Sequence, residues 1–220
     1  MSESSKLEKK LYWDDFYKKI NKEAWKIMPP SQFAVFCCSE IFNKNIKHVV
    51  DIASGDGRDS IFFAQQGLKV FALEKSAQAV KLLEKRNLNN ENLSIIQIDA
   101  LKDKIDTGAP KGLSLAYYSR FFIHTLSKNE VKIFFKKLSE VVGITDYLFV
   151  EYRNEFDANL KKETEAHFRE FHKSNYILDI ANQFNLDCVY EVSGTGFAKW
   201  KQDDACVTRQ IFIKTIKKKL

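Results

Sequence analysis

Short hydrophobic runs alternate with amphipathic segments through most of the chain, and this alternation constrains the fold more than any other feature. Five runs are predicted to be strands, over residues 47–52, 69–73, 93–98, 113–118 and 147–152. Strands separated by helices form a parallel sheet with helices on both faces. Two later runs, 186–192 and 206–216, have no predicted helix between them, so the last strand is expected to be antiparallel. The predicted fold is α/β: a Rossmann-like, doubly wound sheet of seven strands, preceded by N-terminal helices.

The segment before this sheet is predicted to form a helix over residues 5–22. Its apolar positions recur at the spacing of one helix face, and they are Trp13, Phe16, Tyr17 and Ile20. Pro29 and Pro30 then interrupt the chain. We divide the sequence into a lid helix with its linker, residues 1–30, and a main domain, residues 31–220.

Two further helices are predicted inside the main domain. Ser127 and Glu130 have the spacing of a capping box and begin a helix before the fifth strand. An apolar stripe over residues 160–172 predicts a surface helix, part of a helical stretch that ends near Phe184.

Composition excludes several classes of protein. The chain has 220 residues, 45% of them hydrophobic, so it can bury a core of its own. No apolar run approaches the ~20 residues of a membrane helix, and the start has no signal-peptide pattern, so we expect a cytoplasmic protein without a membrane span. The four cysteines lack the spacing of a metal site or disulfide framework. We therefore expect no bound metal.

The net charge of +6 does not form a basic stripe. Part of the excess lies in the last seven residues, which contain four lysines. A solvated terminus is favoured there over a segment that binds RNA or lipid, so no nucleic-acid partner is expected. The composition does not indicate an oligomeric state.

The turn after the first predicted strand carries the most chemical information, in the segment Asp51-Ile52-Ala53-Ser54-Gly55-Asp56-Gly57-Arg58-Asp59. Its glycines allow the backbone to approach a ligand, and the helix that follows begins with free N–H groups. The three acids Asp51, Asp56 and Asp59 would repel a diphosphate. A ligand with a cationic amine or sulfonium suits this turn better.

Two more acids end the next two predicted strands. Glu74 lies where a carboxylate can accept hydrogen bonds from both ribose hydroxyls, and Asp99 lies where one can accept from an adenine amine. The carboxyl ends of such strands line the crevice in which doubly wound sheets bind ligands. Acids in register at three strand ends therefore predict a cofactor site rather than solvated strand caps.

These features resemble the class I S-adenosylmethionine (SAM)-dependent methyltransferases, whose first motif is Asp/Glu-x-Gly-x-Gly-x-Gly. Gly55 and Gly57 match this motif, whereas Ala53 replaces its first glycine, so that position must accept a methyl group. The resemblance covers about residues 31–216 and implies SAM as the cofactor. The residues that it assigns to cofactor binding are Asp51, Ala53, Gly55, Asp56, Gly57, Arg58, Asp59, Glu74, Lys75, Asp99, Ala100 and Tyr118, with Trp13 and Phe16 from the lid.

Within that superfamily, the turn over residues 55–60 is similar to that of tellurite-resistance and thiopurine methyltransferases. Those small-molecule enzymes share an N-terminal Trp-x-x-Phe-Tyr helix, here Trp13 to Tyr17, which folds over the cofactor as a lid. Ordinary core packing of these aromatic residues is the alternative. Residues 119–124, 167–169 and 196–200 have a looser likeness to methyltransferases of bacterial capsule and surface-glycan biosynthesis.

The residues after the fourth strand are expected to face the methyl acceptor. They lack the Asn/Asp-Pro-Pro-Tyr and Pro-Cys motifs of base methyltransferases, which disfavours a nucleic-acid substrate. His124 is the candidate general base for a hydroxyl acceptor, because an ordinary imidazole titrates near neutrality. Arg120 is predicted to hold an anionic acceptor, and a structural ion pair with Asp99 or Glu151 is the alternative.

Further candidates for substrate contact lie outside this segment, and they are Tyr17, His167, Arg169 and Lys199. His167 and Arg169 belong to the predicted helix of residues 160–172, for which a plain surface role is favoured. Lys199 lies between the last two strands, where an ordinary connecting loop is equally consistent.

Three functions remain open. The leading one is methylation of a small polar acceptor, with O-methylation in surface-polysaccharide (capsule) biosynthesis preferred. An anionic or phosphorylated acceptor is one option. The second is methylation of a thiol, halide or tellurite-type acceptor, which needs no strong base and makes His124 dispensable. The third is a catalytically silent SAM-binding or RNA-binding protein, which the acidic crevice disfavours.

Overall fold

A mixed sheet of seven strands forms the centre of the molecule. The computed structural model describes residues 12–19, 29–87, 89–109, 112–163 and 167–216. The strands are β1 (His48–Ile52), β2 (Lys69–Glu74), β3 (Leu93–Gln97), β4 (Leu115–Arg120), β5 (Tyr147–Arg153), β6 (Leu186–Gly194), β7 (Lys199–Trp200), β8 (Asp203–Asp204) and β9 (Val207–Lys214). The sheet has the order β3-β2-β1-β4-β5-β9-β6, and β7 and β8 pair separately.

The strand directions place a crevice beside β1. Strands β1 to β5 are parallel, whereas β9 runs antiparallel between β5 and β6. The strand order reverses at β1, because β2 lies on one side of it and β4 on the other. Doubly wound sheets bind ligands outside the carboxyl ends of the strands at such a reversal. The predicted fold, with its last strand antiparallel, is confirmed.

Helices cover both faces of the sheet. They are α1 (residues 12–19), α2 (Gln32–Asn43), α3 (Arg58–Gln65), α4 (Ala77–Arg86), α5 (Lys128–Val141) and α6 (Ser174–Gln183). Side chains of α2 and α3 join the core on one face, and those of α5 and α6 join the core on the other. Val49 and Val50 point to opposite cores, which is the alternation expected for a strand buried on both sides.

The predicted surface helix over residues 160–172 is wrong. The described residues between Asn154 and Lys173 contain only one short 3-10 turn, Glu155–Asp157. The chain is instead held by non-local contacts: the Glu170 backbone N–H donates to the His124 carbonyl at 2.8 Å, and the His172 ring bonds to the Leu126 carbonyl at 2.9 Å. These tertiary contacts outweigh the apolar period that predicted a helix.

Local signals at other element ends are confirmed. The Glu130 carboxylate accepts from the Ser127 backbone N–H at 2.8 Å, while Ser127 accepts from the Glu130 N–H, so both halves of the capping box form. Strand β4 begins and ends two residues later than predicted. Ser119 and Arg120 therefore belong to the strand and not to the loop after it.

The N-terminal helix is described over residues 12–19 only, so the rest of the predicted lid, 5–22, lies outside the described residues. The lysines after residue 216 also lie outside them, and the division of the chain at residue 30 remains a prediction. No described helix is long and apolar enough to cross a bilayer. The four cysteines are free thiols, and the described residues contain no cluster of metal-binding side chains.

Candidate functional site

The turn between β1 and α3 has a backbone that few residues tolerate. Ala53, Gly55 and Gly57 all have positive φ angles, of 59°, 59° and 76°. A Cβ atom on Gly57 would overlap the Leu83 side chain, and one on Gly55 would lie 2.5 Å from the Tyr17 hydroxyl. Gly57 is therefore required for close packing and Gly55 keeps room for the Tyr17 hydroxyl, whereas Ala53 adopts the left-handed conformation with its methyl group in place.

Glu74 connects the ends of β1 and β2. Its carboxylate accepts from the backbone N–H groups of Gly55 at 2.9 Å and Ser76 at 2.7 Å. Burial raises the pKa of Glu74, and these two hydrogen bonds oppose that rise. The carboxylate is thus held at the mouth of the turn, at the position predicted for the cofactor ribose.

Asp51 is a buried acid near the end of β1, directly before Ile52. It accepts a hydrogen bond from the Ser60 hydroxyl at 2.5 Å. Burial raises the pKa of Asp51 to about 8, against the lowering effect of this bond, and the charges of Asp59 and Glu74 raise it further. A cation placed beside Asp51 would favour its ionised form.

The other two acids of the turn bind protein groups. Asp59 accepts from the Ser31 backbone N–H at 2.8 Å, from the Ser31 hydroxyl at 2.7 Å and from the Tyr118 hydroxyl at 2.7 Å. Asp56 forms an ion pair with Arg86 at the end of α4. The structure therefore gives Asp56, Asp59 and Tyr118 contacts that hold the turn in shape.

Asp99 lies beyond the end of β3 and is partly buried. Its Oδ1 accepts from the Leu101 backbone N–H at 3.0 Å, and its Oδ2 lies 4.0 Å from the Lys75 ammonium. Ala100 is buried behind it. The ends of β1, β2 and β3 thus carry Asp51, Glu74 and Asp99 in the predicted order along one edge of the sheet.

Arg58, the first residue of α3, reaches back across the turn. Its Nε donates to the Pro29 carbonyl at 2.5 Å, and its guanidinium lies 5.8 Å from the Trp200 ring. Lys199, the neighbour of Trp200, is exposed on the β7–β8 hairpin. The hairpin thus approaches the turn through Trp200.

Helix α1 packs over the turn. The Ser76 hydroxyl donates to Asp14 at 2.7 Å, and Tyr17 covers Gly55. Burial raises the pKa of Tyr17 well above its usual range, and the charges of Glu74 and Asp56 raise it further. Tyr17 therefore stays protonated beside two acids.

The aromatic face of α1 continues toward His167. The His167 ring stacks on Tyr12 at 4.4 Å and meets Trp13 edge-on at 5.2 Å, while Phe16 lies 5.5 Å from Trp13. Burial lowers the pKa of Arg169, and the positive charge of Arg153 lowers it further. His167 and Arg169 thus lie beside the lid in an irregular segment, although a surface helix was expected.

Arg120 forms the ion pair that was the alternative to its predicted role. Its Nε donates to Glu151 at 2.8 Å, and the other Glu151 oxygen accepts from Arg209 Nε at 2.7 Å. Glu151 is fully buried. The next residue, Phe121, has a φ of 56°, and its ring lies 4.0 Å from the Arg120 guanidinium.

His124 lies in a 3-10 turn, Ile123–Thr125, and its side chain is buried. Its Nδ1 accepts from the Arg153 backbone N–H at 3.3 Å. Burial lowers the pKa of His124 well below its usual range, and the positive charge of Arg153 lowers it further. Arg153 itself donates to Asp157 at 2.8 Å and to Asp203 at 2.6 Å.

Part of the chain matches a known protein family. Residues 23–108 match the family described as tellurite resistance protein TehB. This segment contains the ends of β1 to β3 but stops before β4, Arg120 and His124. No curated protein matches the chain in sequence.

Solved structures match over most of the chain. Magnesium protoporphyrin IX methyltransferase of Synechocystis PCC 6803, solved with bound S-adenosylhomocysteine (SAH), has 10% identity and a TM-score of 0.64, over 84% of this chain and 83% of its own. The CcbJ methyltransferase of Streptomyces caelestis has 14% identity and a TM-score of 0.64, over 86% and 91%. The glycopeptide N-methyltransferase MtfA, complexed with SAM, has 12% identity and a TM-score of 0.63, over 84% of this chain and 95% of its own.

The chain has the class I SAM-dependent methyltransferase fold. The resemblance expected from the glycine-rich turn and the strand-end acids is confirmed at this level. Within the methyltransferase fold, β1 to β3 carry the acids of the predicted cofactor half, and the ends of β4 and β5 carry the predicted acceptor half.

Several residues in or near the acceptor half were not singled out individually from the sequence, and they are Tyr12, Phe121, Arg153, Asp157, Asp203 and Arg209. Arg209 lies 58 residues from its partner Glu151, and Asp203 lies 50 residues from Arg153. No local pattern marks such pairs. Phe121 follows the fourth strand directly, but nothing in its residue type signals a positive φ.

Proposed function

We propose that this protein is a SAM-dependent methyltransferase that acts on a small polar acceptor. The observation that carries the proposal is the Glu74 carboxylate, fixed on the Gly55 N–H at the mouth of the first turn. Glu74 accepts hydrogen bonds from the ribose hydroxyls of the cofactor. Asp51 lies near the cationic end of SAM, and Asp99, flanked by Lys75 and Ala100, accepts from the adenine amine.

SAM supplies an electrophilic methyl group on a sulfonium. Methyl transfer would form a bond to the acceptor nucleophile as the carbon–sulfur bond breaks, and would leave SAH. The residues of this chain bind and align the reactants for an in-line displacement, which is the main contribution that a protein makes to such a step. Helix α1 covers the site through Tyr17 and excludes water.

The site is better suited to a methyl acceptor whose nucleophilic atom needs no general base. The Nδ1 atom of His124 already accepts the Arg153 N–H, so His124 is poorly placed to remove a proton from a hydroxyl. The TehB match favours the detoxifying, tellurite-type alternative. O-methylation in capsule biosynthesis rests on a loose sequence likeness and would require a base elsewhere.

Calorimetry on the full chain tests the cofactor assignment. We expect SAM and SAH to bind and NADH not to bind. Glu74→Ala should weaken SAM binding by about tenfold to a hundredfold, the effect of losing hydrogen bonds to a charged group. Glu84→Ala, which removes an exposed acid of α4, is the matched control and should bind SAM normally.

Methyl transfer from labelled SAM to tellurite, selenite, small thiols and sugar phosphates then identifies the acceptor class. Turnover on a chalcogen or thiol acceptor would support the proposal. Binding of NADH in place of SAM would overturn it, and so would tight SAM binding with no turnover on any acceptor class.

A further inference from the structure

Two side chains at and just after the end of β4 carry hydrogen-bond donors with no protein acceptor within the part of the chain that the structure describes. The donors are the Nη atoms of Arg120 and the Nε2 atom of His124. The other nitrogen of each side chain is already bonded, Arg120 Nε to Glu151 and His124 Nδ1 to the Arg153 N–H. The Arg120 side chain is 18% exposed, and His124 is 3% exposed. Neither side chain has a fully buried, unpartnered donor atom among the described residues, so both keep donors that a ligand entering from solvent can reach.

Arg120 is fixed on one edge and one face. Its Nε edge is bonded to the buried Glu151, and its guanidinium lies 4.0 Å from the Phe121 ring. Glu151 also binds Arg209, so one carboxylate is shared by two guanidinium groups and one positive charge is left over. The Nη edge of Arg120 is therefore the preorganised part, with the fork geometry that suits an oxyanion.

Phe121 maintains this arrangement at a cost. Its φ of 56° is in the left-handed region, where the backbone of a bulky residue is strained. Its backbone N–H donates to the Glu151 carbonyl at 2.8 Å, and its ring also lies 5.2 Å from Arg153 and 5.4 Å from the His124 ring. Strain of this kind persists where the surrounding contacts require it.

His124 is oriented by a backbone group that can only donate. Because the Arg153 N–H points at Nδ1, that atom holds a lone pair, and the proton of the neutral ring is on Nε2. The charged groups that face His124 are Arg153 on β5, Arg120 on β4, and His167 and Arg169 on the irregular segment. Burial, and then these neighbouring groups, lower the pKa of His124, which keeps the ring neutral and makes Nε2–H a donor.

We propose that Arg120 and His124 form an oxyanion-binding niche for the methyl acceptor. The niche takes a carboxylate, a phosphate or a chalcogen oxyanion on the acceptor molecule. Glu151 and Phe121 are positioning residues for Arg120, and the Arg153 backbone positions His124. This inference rests on the proposed methyltransferase function and assigns His124 a donor role in place of the base predicted from the sequence.

The test titrates the full chain, saturated with SAH, with acetate, inorganic phosphate or selenite. At least one of these anions should bind, and the strongest identifies the oxyanion class. Arg120→Ala should weaken that binding by about tenfold or more while SAH affinity stays constant. Lys136→Ala removes an exposed cation of α5 and should change neither affinity.

Paired variants separate the donor role from the base or cation roles. His124→Gln keeps an N–H donor and should bind the anion within about threefold of wild type, whereas His124→Ala should lose about tenfold. Glu151→Gln and Arg120→Lys should each weaken anion binding at unchanged SAH affinity, because they lose the fixed fork. The acetate affinity should be flat between about pH 6 and about pH 8, since His124 stays neutral there.

The possible failures are distinguishable. If SAH does not bind the wild-type chain, the proposed function is overturned. If SAH binds but none of the three anions does, only the niche is overturned. The niche would also be overturned if acetate affinity rose as pH fell in wild type but not in His124→Gln. That result would show that His124 acts as a cation.

Discussion

The Ser60 hydroxyl donates to the buried Asp51 carboxylate, with 2.5 Å between Oγ and Oδ2. This is the hydrogen bond that supports the charged form of Asp51, whereas burial and the nearby acids Asp59 and Glu74 oppose it. With a pKa of about 8, Asp51 is largely protonated at neutral pH in the free protein. A ligand cation at this strand end would reverse that balance.

Binding of SAM should therefore release a proton near neutral pH. Calorimetry at about pH 7, in two buffers with different ionisation enthalpies, measures this release directly. We expect a loss approaching one proton in wild type and almost none in Asp51→Asn. Equal proton release by the two proteins would refute the role of Asp51.

The same carboxyl should make the free protein less stable as pH rises. Its folded pKa of about 8 exceeds the unfolded value of about 3.8, so the folded state binds the extra proton between those limits. Stability from this group is thus lost as pH rises from about 4 to about 8. The melting temperature of Asp51→Asn should exceed that of wild type at about pH 8 and should be close to it at about pH 4.

Gly57 and Gly67 form a matched pair for testing close packing. Both have positive φ angles, of 76° and 83°, but a Cβ at Gly57 would overlap Leu83 and one at Gly67 would meet nothing within 4 Å. Gly67→Ala should cost about 1–2 kcal/mol of unfolding free energy from its backbone alone. Gly57→Ala should cost clearly more in urea denaturation. Equal costs would show that α4 can move away from the turn.

Tyr118→Phe separates a structural role from the predicted cofactor contact. Its hydroxyl donates to the Asp59 carboxylate at 2.7 Å, whereas the neighbouring Tyr117 hydroxyl donates to the neutral Val141 carbonyl at 3.1 Å. Tyr118→Phe should cost about 1.5–3 kcal/mol of stability, and Tyr117→Phe about 1 kcal/mol. SAM affinity should be unchanged in both. A selective loss of SAM affinity in Tyr118→Phe would restore the cofactor role.

The geometry of the predicted cofactor half of the site could be anticipated because its signals are local. A buried strand, an acid and a glycine turn lie together in sequence, so Asp51, Gly55 and Glu74 could be placed at adjacent strand ends from the sequence alone. Asp59, which the sequence groups with the ligand-binding acids, is also bonded to Ser31, 28 residues earlier, and no local signal predicts that contact.

The acceptor half was less predictable because its contacts are distant in sequence. The choice between ligand and ion pair for Arg120 depended on Glu151, which is 31 residues away and on a neighbouring strand. The apolar period around Phe168 predicted a helix, but the Glu170 bond to the His124 carbonyl holds that chain in an irregular path. Neither competing contact leaves a periodic trace in the sequence.

Tyr17 provides the test of whether α1 closes over the cofactor. Its hydroxyl lies against Gly55, and the helix is tied to α4 by the bond from Ser76 to Asp14. Tyr17→Ala should weaken SAM binding by about tenfold, because Tyr17 is half-buried and full burial of such a side chain contributes roughly 1.5–3 kcal/mol. Lys18→Ala, on the exposed side of the same helix, should bind SAM as wild type does.

Deletion of residues 1–22 extends this test from one side chain to the helix. The two cores contain no residue of α1, so the shortened chain should keep a cooperative unfolding transition while its SAM affinity falls at least as far as in Tyr17→Ala. Calorimetry and urea denaturation on the same samples measure both quantities. Tighter SAM binding in either variant would mean that α1 occupies the cofactor position in the free protein, and loss of the unfolding transition would mean that α1 is part of the folded core.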